Sequence, residues 1–136
     1  MILVDTSIWS VAFRRRKAGE EFSKEVESLK SLLKSNHNIG VPGAVLQELL
    51  SGLREESQFE RLSRLMDGFP LILATEEDHI RAAKISNICR KNGVAAKTVD
   101  CLLAAMAIER NAQLFTSDKD FGYIAEHTSL ELFSID

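Results

Sequence analysis

Apolar and polar positions change their period several times along this chain, and the changes mark out its elements. The opening ILV, residues 2–4, is an unbroken apolar run of the kind expected of a strand covered on both faces. Asp5, Thr6 and Ser7 then offer helix-capping oxygens ahead of Ile8, Trp9, Ala12 and Phe13 of a first helix. Phe22, Val26, Leu29 and Leu33 recur at helical spacing and predict a second helix, ending at the polar SNHN of residues 35–38. A brief strand over 39–41 leads to Pro42, which suits the first turn of a helix carrying Val45, Leu46, Leu49, Leu50 and Leu53. Ser57 and Glu60 form a capping-box pattern ahead of Leu62 and Leu65, with Gly68 as the stop. The LILA of residues 71–74 predicts a third strand. Thr75 with Glu76, Glu77 and Asp78 then starts a helix that finishes at Asn92-Gly93. A helix over 99–110, a strand over 113–116 and a last strand near 130–135 complete the pattern. Short strands separated by helices predict an α/β fold with a mostly parallel sheet, whose reactive groups gather beyond the carboxyl ends of the strands.

No linker, internal repeat or low-complexity tract interrupts the pattern, so the 136 residues read as a single domain, long enough to bury a core without covalent staples. An apolar content of 45% with 27% charged residues is that of a globular chain rather than a disordered one. No apolar run is long enough to span a bilayer, and the start lacks the basic and hydrophobic segments of a secretion signal. A cytoplasmic address without a membrane partner is therefore expected. Cys89 and Cys101 fall inside predicted helices without zinc-like spacing and read as reduced core thiols. His37, His79 and His127 are scattered, which argues against a zinc or histidine-driven site. A net charge of -3 argues against a surface that binds nucleic acid throughout, while leaving room for a local basic patch.

The acids carry the candidate chemistry. Asp5 follows the first strand and Asp118 lies two residues after the strand ending at 116, so both belong where a crevice would open, although either taken alone reads first as a helix cap or turn. Glu48 lies at the border of the apolar stripe of its helix, a position that also suits an ordinary exposed glutamate. Asp100 is the sole charge in VDCLLAAMAI, a helix apolar nearly all round, which has to be enclosed by protein. The helix dipole favours a carboxylate in that first turn. Enclosure asks for a partner, and no nearby position obviously supplies a cation. Several carboxylates meeting in one crevice repel each other unless a cation shares the site. An oxygen-only donor set then points to Mg²⁺ or Mn²⁺ rather than zinc.

ILVDTSIW at the start, VLQEL around Glu48, TVDCLLAAMA around Asp100 and LFTSDKDF near the end follow one another in the order and approximate spacing of a known family. In these motifs the whole chain resembles the PIN-domain ribonucleases, most closely the VapC-type toxins of prokaryotic toxin-antitoxin pairs. The resemblance implies a three-layer α/β/α fold. It also implies an acidic set of Asp5, Glu48, Asp100 and Asp118 that holds Mg²⁺ or Mn²⁺ and hydrolyses RNA phosphodiesters by metal-assisted attack of water. Asp120 matches the second aspartate of the closing motif; some relatives carry Asn where this chain has Asp118, so both aspartates stand as candidate ligands. Thr6 and Thr116 match small hydroxyl positions that orient acids or water. A homodimer and a small VapB-like antitoxin that covers the crevice are implied as partners. The FRRRK run, with Arg14, Arg15, Arg16 and Lys17, reads by default as a solvated helix end and, if it faces the crevice, as a set of RNA-phosphate contacts. Two other readings compete: a phosphoacceptor signalling domain, which also places acids around Mg²⁺, and a PIN-like module that binds RNA or protein without cutting.

Overall fold

Residues 1–135 are described by the computed structural model, in which the alternating pattern becomes five strands and seven helices. In chain order these are β1 (Ile2–Val4), α1 (Thr6–Phe13), α2 (Lys24–Lys34), β2 (Ile39–Pro42), α3 (Gly43–Ser51) and α4 (Glu56–Met66). They continue as β3 (Leu71–Ile72), α5 (Glu76–Lys91), α6 (Thr98–Glu109), β4 (Gln113–Phe115), α7 (Asp120–His127) and β5 (Glu131–Leu132).

Every pairing in the sheet is parallel, and the strand order is β3-β2-β1-β4-β5. β1 is central: Leu3 pairs with Gly40 on one side and Leu114 on the other, and Val4 with Phe115. The three apolar residues of β1 are buried because helices cover both faces. α1 packs on α2 and α3, with α3 on α4, while α5, α6 and α7 pack on one another, giving the two outer layers. Gly40 marks a close approach within the sheet: a Cβ there would lie 2.8 Å from Ile72 Cγ1 and 3.1 Å from Leu3 Cδ2.

The chain runs outward from β1 to β2 and β3 on one side and returns to place β4 and β5 on the other. A crevice opens beyond the carboxyl ends of strands where the order reverses, here between β1 and β4. Doubly wound signalling domains of the receiver type use the order 2-1-3-4-5, so this topology sets the chain apart from the phosphoacceptor reading.

Several local expectations shift. Pro42 is not in a first helical turn; its ring ends β2, paired with Ile72, and extended angles (φ -61, ψ 143) make it the N-cap of α3. The Ser57–Glu60 capping box does not form, because α4 starts at Glu56 and Ser57 is already inside it. The box forms instead at Thr75, whose hydroxyl accepts from the Asp78 amide at 3.2 Å while the Asp78 carboxylate accepts from the Thr75 amide at 2.8 Å. β3 and β5 are shorter than the apolar runs that announced them, and α7 emerges directly from the closing aspartates. The cysteines are free and buried, in agreement with core thiols.

Asp78 looked like a dipole-favoured first-turn acid, yet it is fully buried. Arg110, at the end of α6, grips both its oxygens at 2.9 and 2.8 Å and also donates to the Met106 carbonyl. The guanidinium, helped by the Thr75 amide, holds the Asp78 carboxyl below the usual carboxylate range despite burial. This bidentate pair locks the start of α5 to the end of α6 and so fixes the helix that carries Asp100.

Candidate metal centre and cleft

A cleft of about 730 Å³ lies beyond β1 and β4, and Asp5, Glu48, Asp100 and Asp118 all line it. β1 and β4 bring their ends together through the Asp5 amide, which donates to the Phe115 carbonyl at 2.9 Å. Asp5 stands in the N-cap position of α1 but makes no side-chain cap bond. The residue is buried, 6% exposed, and its carboxylate turns instead toward a row of hydroxyls. Oδ2 accepts from Ser7 Oγ at 2.9 Å and from Thr116 Oγ1 at 2.8 Å. Each hydroxyl has one proton, so with both given to Asp5 the two oxygens accept from the backbone: Ser117 N reaches Ser7 Oγ at 3.1 Å and Asp118 N reaches Thr116 Oγ1 at 3.0 Å. The Asp120 amide then donates to Asp118 Oδ1 at 3.0 Å, the turn from which α7 starts. TSDKDF is thus both a turn and a delivery of carboxylates to the end of β1.

Across the cleft, Glu48 lies on the exposed face of α3, and its Oε2 accepts from Thr6 Oγ1 at 3.0 Å. Asp100 lies in the first turn of α6, whose neighbours Cys101 and Leu103 are buried. Its Oδ2 is buried and has no hydrogen-bond partner among the described residues. Burial pushes the Asp100 carboxyl up to about 6, reinforced by Asp118 and Asp5 and, more weakly, by Asp120, with Lys97 acting the other way. Asp100, Asp118 and Asp120 each bring a carboxylate oxygen within 4.8 Å of the others, whereas Asp5 and Glu48 share the cleft outside that trio.

This arrangement is unfavourable for the protein alone. A buried carboxylate oxygen without a donor, faced by further carboxylates, favours the protonated form or a bound cation. All the donors are oxygens, and among the described residues no histidine or cysteine lines the cleft, so a hard divalent ion of the Mg²⁺ or Mn²⁺ kind fits the residues present.

A PIN domain profile matches residues 2–127. The chain is 34% identical, over 136 residues and 98% of each chain, to VapC ribonuclease Mb1587 of Mycobacterium bovis. The chain is a PIN domain of the VapC type. Ribonuclease VapC11 of Mycobacterium tuberculosis is similar to the same extent, 34% over 98% of each chain. Among solved structures, VapBC2 from Rickettsia felis bound to a promoter DNA fragment contains a chain with the same fold, at a TM-score of 0.78 and 22% identity over 100% of both chains.

In this PIN domain Asp5, Glu48, Asp100 and Asp118 therefore share one cleft, Asp120 joins Asp100 and Asp118 from a neighbouring pocket, and both threonines bond to acids. Two neighbouring residues were passed over in the sequence. Ser7 reads as a capping residue, yet its hydroxyl is the second donor to Asp5; a hydroxyl two positions after a strand-end aspartate was the available signal. Lys97 was missed as the cation near Asp100. It stands three positions earlier, at the N-cap of α6, and is the one cation among the described residues lining the cleft. The basic run lies elsewhere: Arg14, Arg15, Arg16 and Lys17 are exposed and none lines the cleft. Arg14 pairs with Glu20 at 2.9 Å, and Arg16 donates to the Glu20 carbonyl and stacks on Phe22, 3.5 Å from the ring centroid. No helix of the described residues is long and apolar enough to cross a membrane.

Proposed function

We propose that this VapC-type PIN domain is a metal-dependent endoribonuclease acting as the toxin of a toxin-antitoxin pair. The observation that carries the reading is the convergence of Asp100, Asp118 and Asp120, one of which has a buried oxygen lacking any donor among the described residues. Identity to VapC ribonucleases over nearly the whole chain supports the choice of RNA as substrate. A bound Mg²⁺ or Mn²⁺ supplies Lewis acidity, making hydroxide available near neutral pH and offsetting charge on the phosphodiester.

The chain's own residues then divide the work. Asp100, Asp118 and Asp120 would hold the ion, with Asp5 as a further carboxylate beside them. The Ser7 and Thr116 hydroxyls fix Asp5 so that its second oxygen stays available. Thr6 occupies Glu48 Oε2, leaving Oε1 to accept a hydrogen bond from the attacking water and orient it. Lys97 acts as a point charge toward phosphate oxygens in a cleft otherwise lined by acids. Arg15 and Lys17, outside the cleft, are available to RNA farther along the strand. Membership of the VapC type supports a homodimer and a small VapB-like antitoxin that covers the cleft and places a basic side chain among the acids.

Water-mediated cleavage leaves a 5′-phosphate and a 3′-hydroxyl, whereas an attack by the RNA 2′-hydroxyl leaves a cyclic phosphate. Purified protein is incubated with RNA and its cut ends are mapped, with and without EDTA. EDTA is expected to abolish cleavage and Mg²⁺ or Mn²⁺ to restore it with 5′-phosphate ends. Chelator-resistant cleavage or cyclic phosphate ends would refute the reading. Copurification with the small protein encoded next door tests the partner.

A further inference from the structure

A second concavity of about 270 Å³ adjoins the acidic centre, lined by Gly93, Val94, Ala95, Ala96, Asp120 and Tyr123. Two relations link it to the main cleft. Asp120 belongs both to this pocket and to the carboxylate trio, while Ala96 lines the pocket and its neighbour Lys97 lines the cleft. The carboxylate trio therefore borders both hollows, Asp100 and Asp118 lining the cleft and Asp120 the pocket.

The pocket is built and its aromatic is uncommitted. α5 stops through a backbone arrangement in which Val94 N donates to the Cys89 carbonyl at 2.8 Å and Gly93 N to the Arg90 carbonyl at 3.1 Å. Gly93 sits at φ +75, where a side chain would strain the backbone, so the turn into the pocket wall is set before any ligand arrives. The remaining wall is small, Ala95 and Ala96, which lets a flat group approach closely. α7 buries Phe121 and Ile124 in the core and leaves Tyr123 half exposed, three positions after Asp120 and so on the same side of the helix. A core role does not explain an aromatic left half exposed in a pocket otherwise lined by small residues and Asp120.

We infer that the Tyr123 pocket is a nucleobase subsite: it stacks the base of a nucleotide flanking the scissile phosphate and selects where the RNA is cut. The inference rests on the ribonuclease reading. With a phosphodiester held at the carboxylate trio, one neighbouring nucleotide would lie in the cleft that Lys97 lines and the other in the pocket that Asp120 lines. The base on the pocket side meets the Tyr123 ring, and Asp120 on the wall can accept a hydrogen bond from an exocyclic amine. Stacking on aromatic side chains is how single-stranded RNA is gripped without a duplex.

The test uses the full chain and oligoribonucleotides spanning a cut position mapped with the unaltered protein, each flanking base replaced in turn by an abasic ribose. One abasic position is expected to lower kcat/KM about 10-fold, and Tyr123→Ala on the intact oligonucleotide by a similar factor, about the loss of one base-aromatic stack. Combined, the two losses should not multiply, because both remove the same contact. Tyr123→Phe should retain activity within about twofold, and the thermal midpoint and oligomeric state should not change with any of these variants. Cleavage by Tyr123→Ala at the unaltered rate, losses that multiply, or a changed oligomeric state would overturn the subsite while leaving the ribonuclease reading intact. Absence of any RNA cleavage by the unaltered protein would overturn both.

Discussion

Replacing Asp100 by Asn separates a metal site from a helix cap. The amide keeps the shape of the side chain and exchanges a charged, donorless oxygen for a neutral group. Burial and the neighbouring carboxylates raise the Asp100 carboxyl from 3.8 to about 6 in the folded protein. A rise of that size corresponds to about 3 kcal/mol against the charged form, and because the group opens onto a solvent-filled cleft the usable part is about 1–2 kcal/mol. The opposing loss is the attraction of a first-turn carboxylate to the helix dipole, about 0.3–1 kcal/mol. In EDTA at pH 7.5, Asp100→Asn should therefore be more stable by about 1 kcal/mol, a rise of roughly 3–5 °C in Tm for a domain of this size. The sign with pH follows from a folded pKa above the unfolded one. The penalty is absent below about 3.8, grows between 3.8 and about 6 and is complete above that, so the advantage of the variant should vanish near pH 4. Saturating Mg²⁺ should reverse the order, since an ion at a hundred times its Kd adds about 2.7 kcal/mol to the protein that binds it. Urea unfolding followed by the fluorescence of Trp9, the sole tryptophan and 2% exposed, reads all three conditions. A variant less stable than the parent in EDTA at pH 7.5, or an advantage undiminished at pH 4, would refute the electrostatic account and restore the helix-cap role.

Thr116→Val removes the donor to Asp5 and the acceptor of the Asp118 amide together; activity or metal affinity should fall about 10- to 100-fold, and Thr116→Ser should recover most of it in steady-state assays. Arg110→Ala leaves Asp78 buried without its cation and should cost about 3–5 kcal/mol in urea unfolding. In the unaltered protein the Asp78 contribution is present at neutral pH and is lost as pH falls through its depressed folded pKa, so the variant should also lose part of the parent's acid sensitivity. Lys97→Gln should raise KM for RNA more than it lowers kcat and reduce the salt slope of binding by about one ion, seen in titrations at several salt concentrations.

Most of the element order, the parallel class of the sheet and the ordered acidic motifs are legible in the amino-acid sequence, because periodicity and strand-end position are local properties of the chain; α7 (Asp120–His127) is the helix that the pattern did not announce. The all-apolar VDCLLAAMAI required an enclosed helix and therefore an exceptional Asp100, and that residue does carry the donorless buried oxygen. Where each element starts depended on its neighbours: Pro42 ends a strand because Ile72, far along the chain, pairs with it. The convergence of particular acids came from the fold alone. Asp118 and Asp120 reach Asp100 because α6 packs against both β4 and α7, and the Thr116 hydroxyl ties the end of β4 to Asp5, whereas Asp78, in sequence one of three acids at a helix start, is consumed by Arg110. The same holds for Lys97 and Tyr123, whose meaning lies in the surfaces they border. Local pattern fixes what a segment becomes; which charges face one another depends on strand order and helix packing, and those are settled by burying the core as a whole.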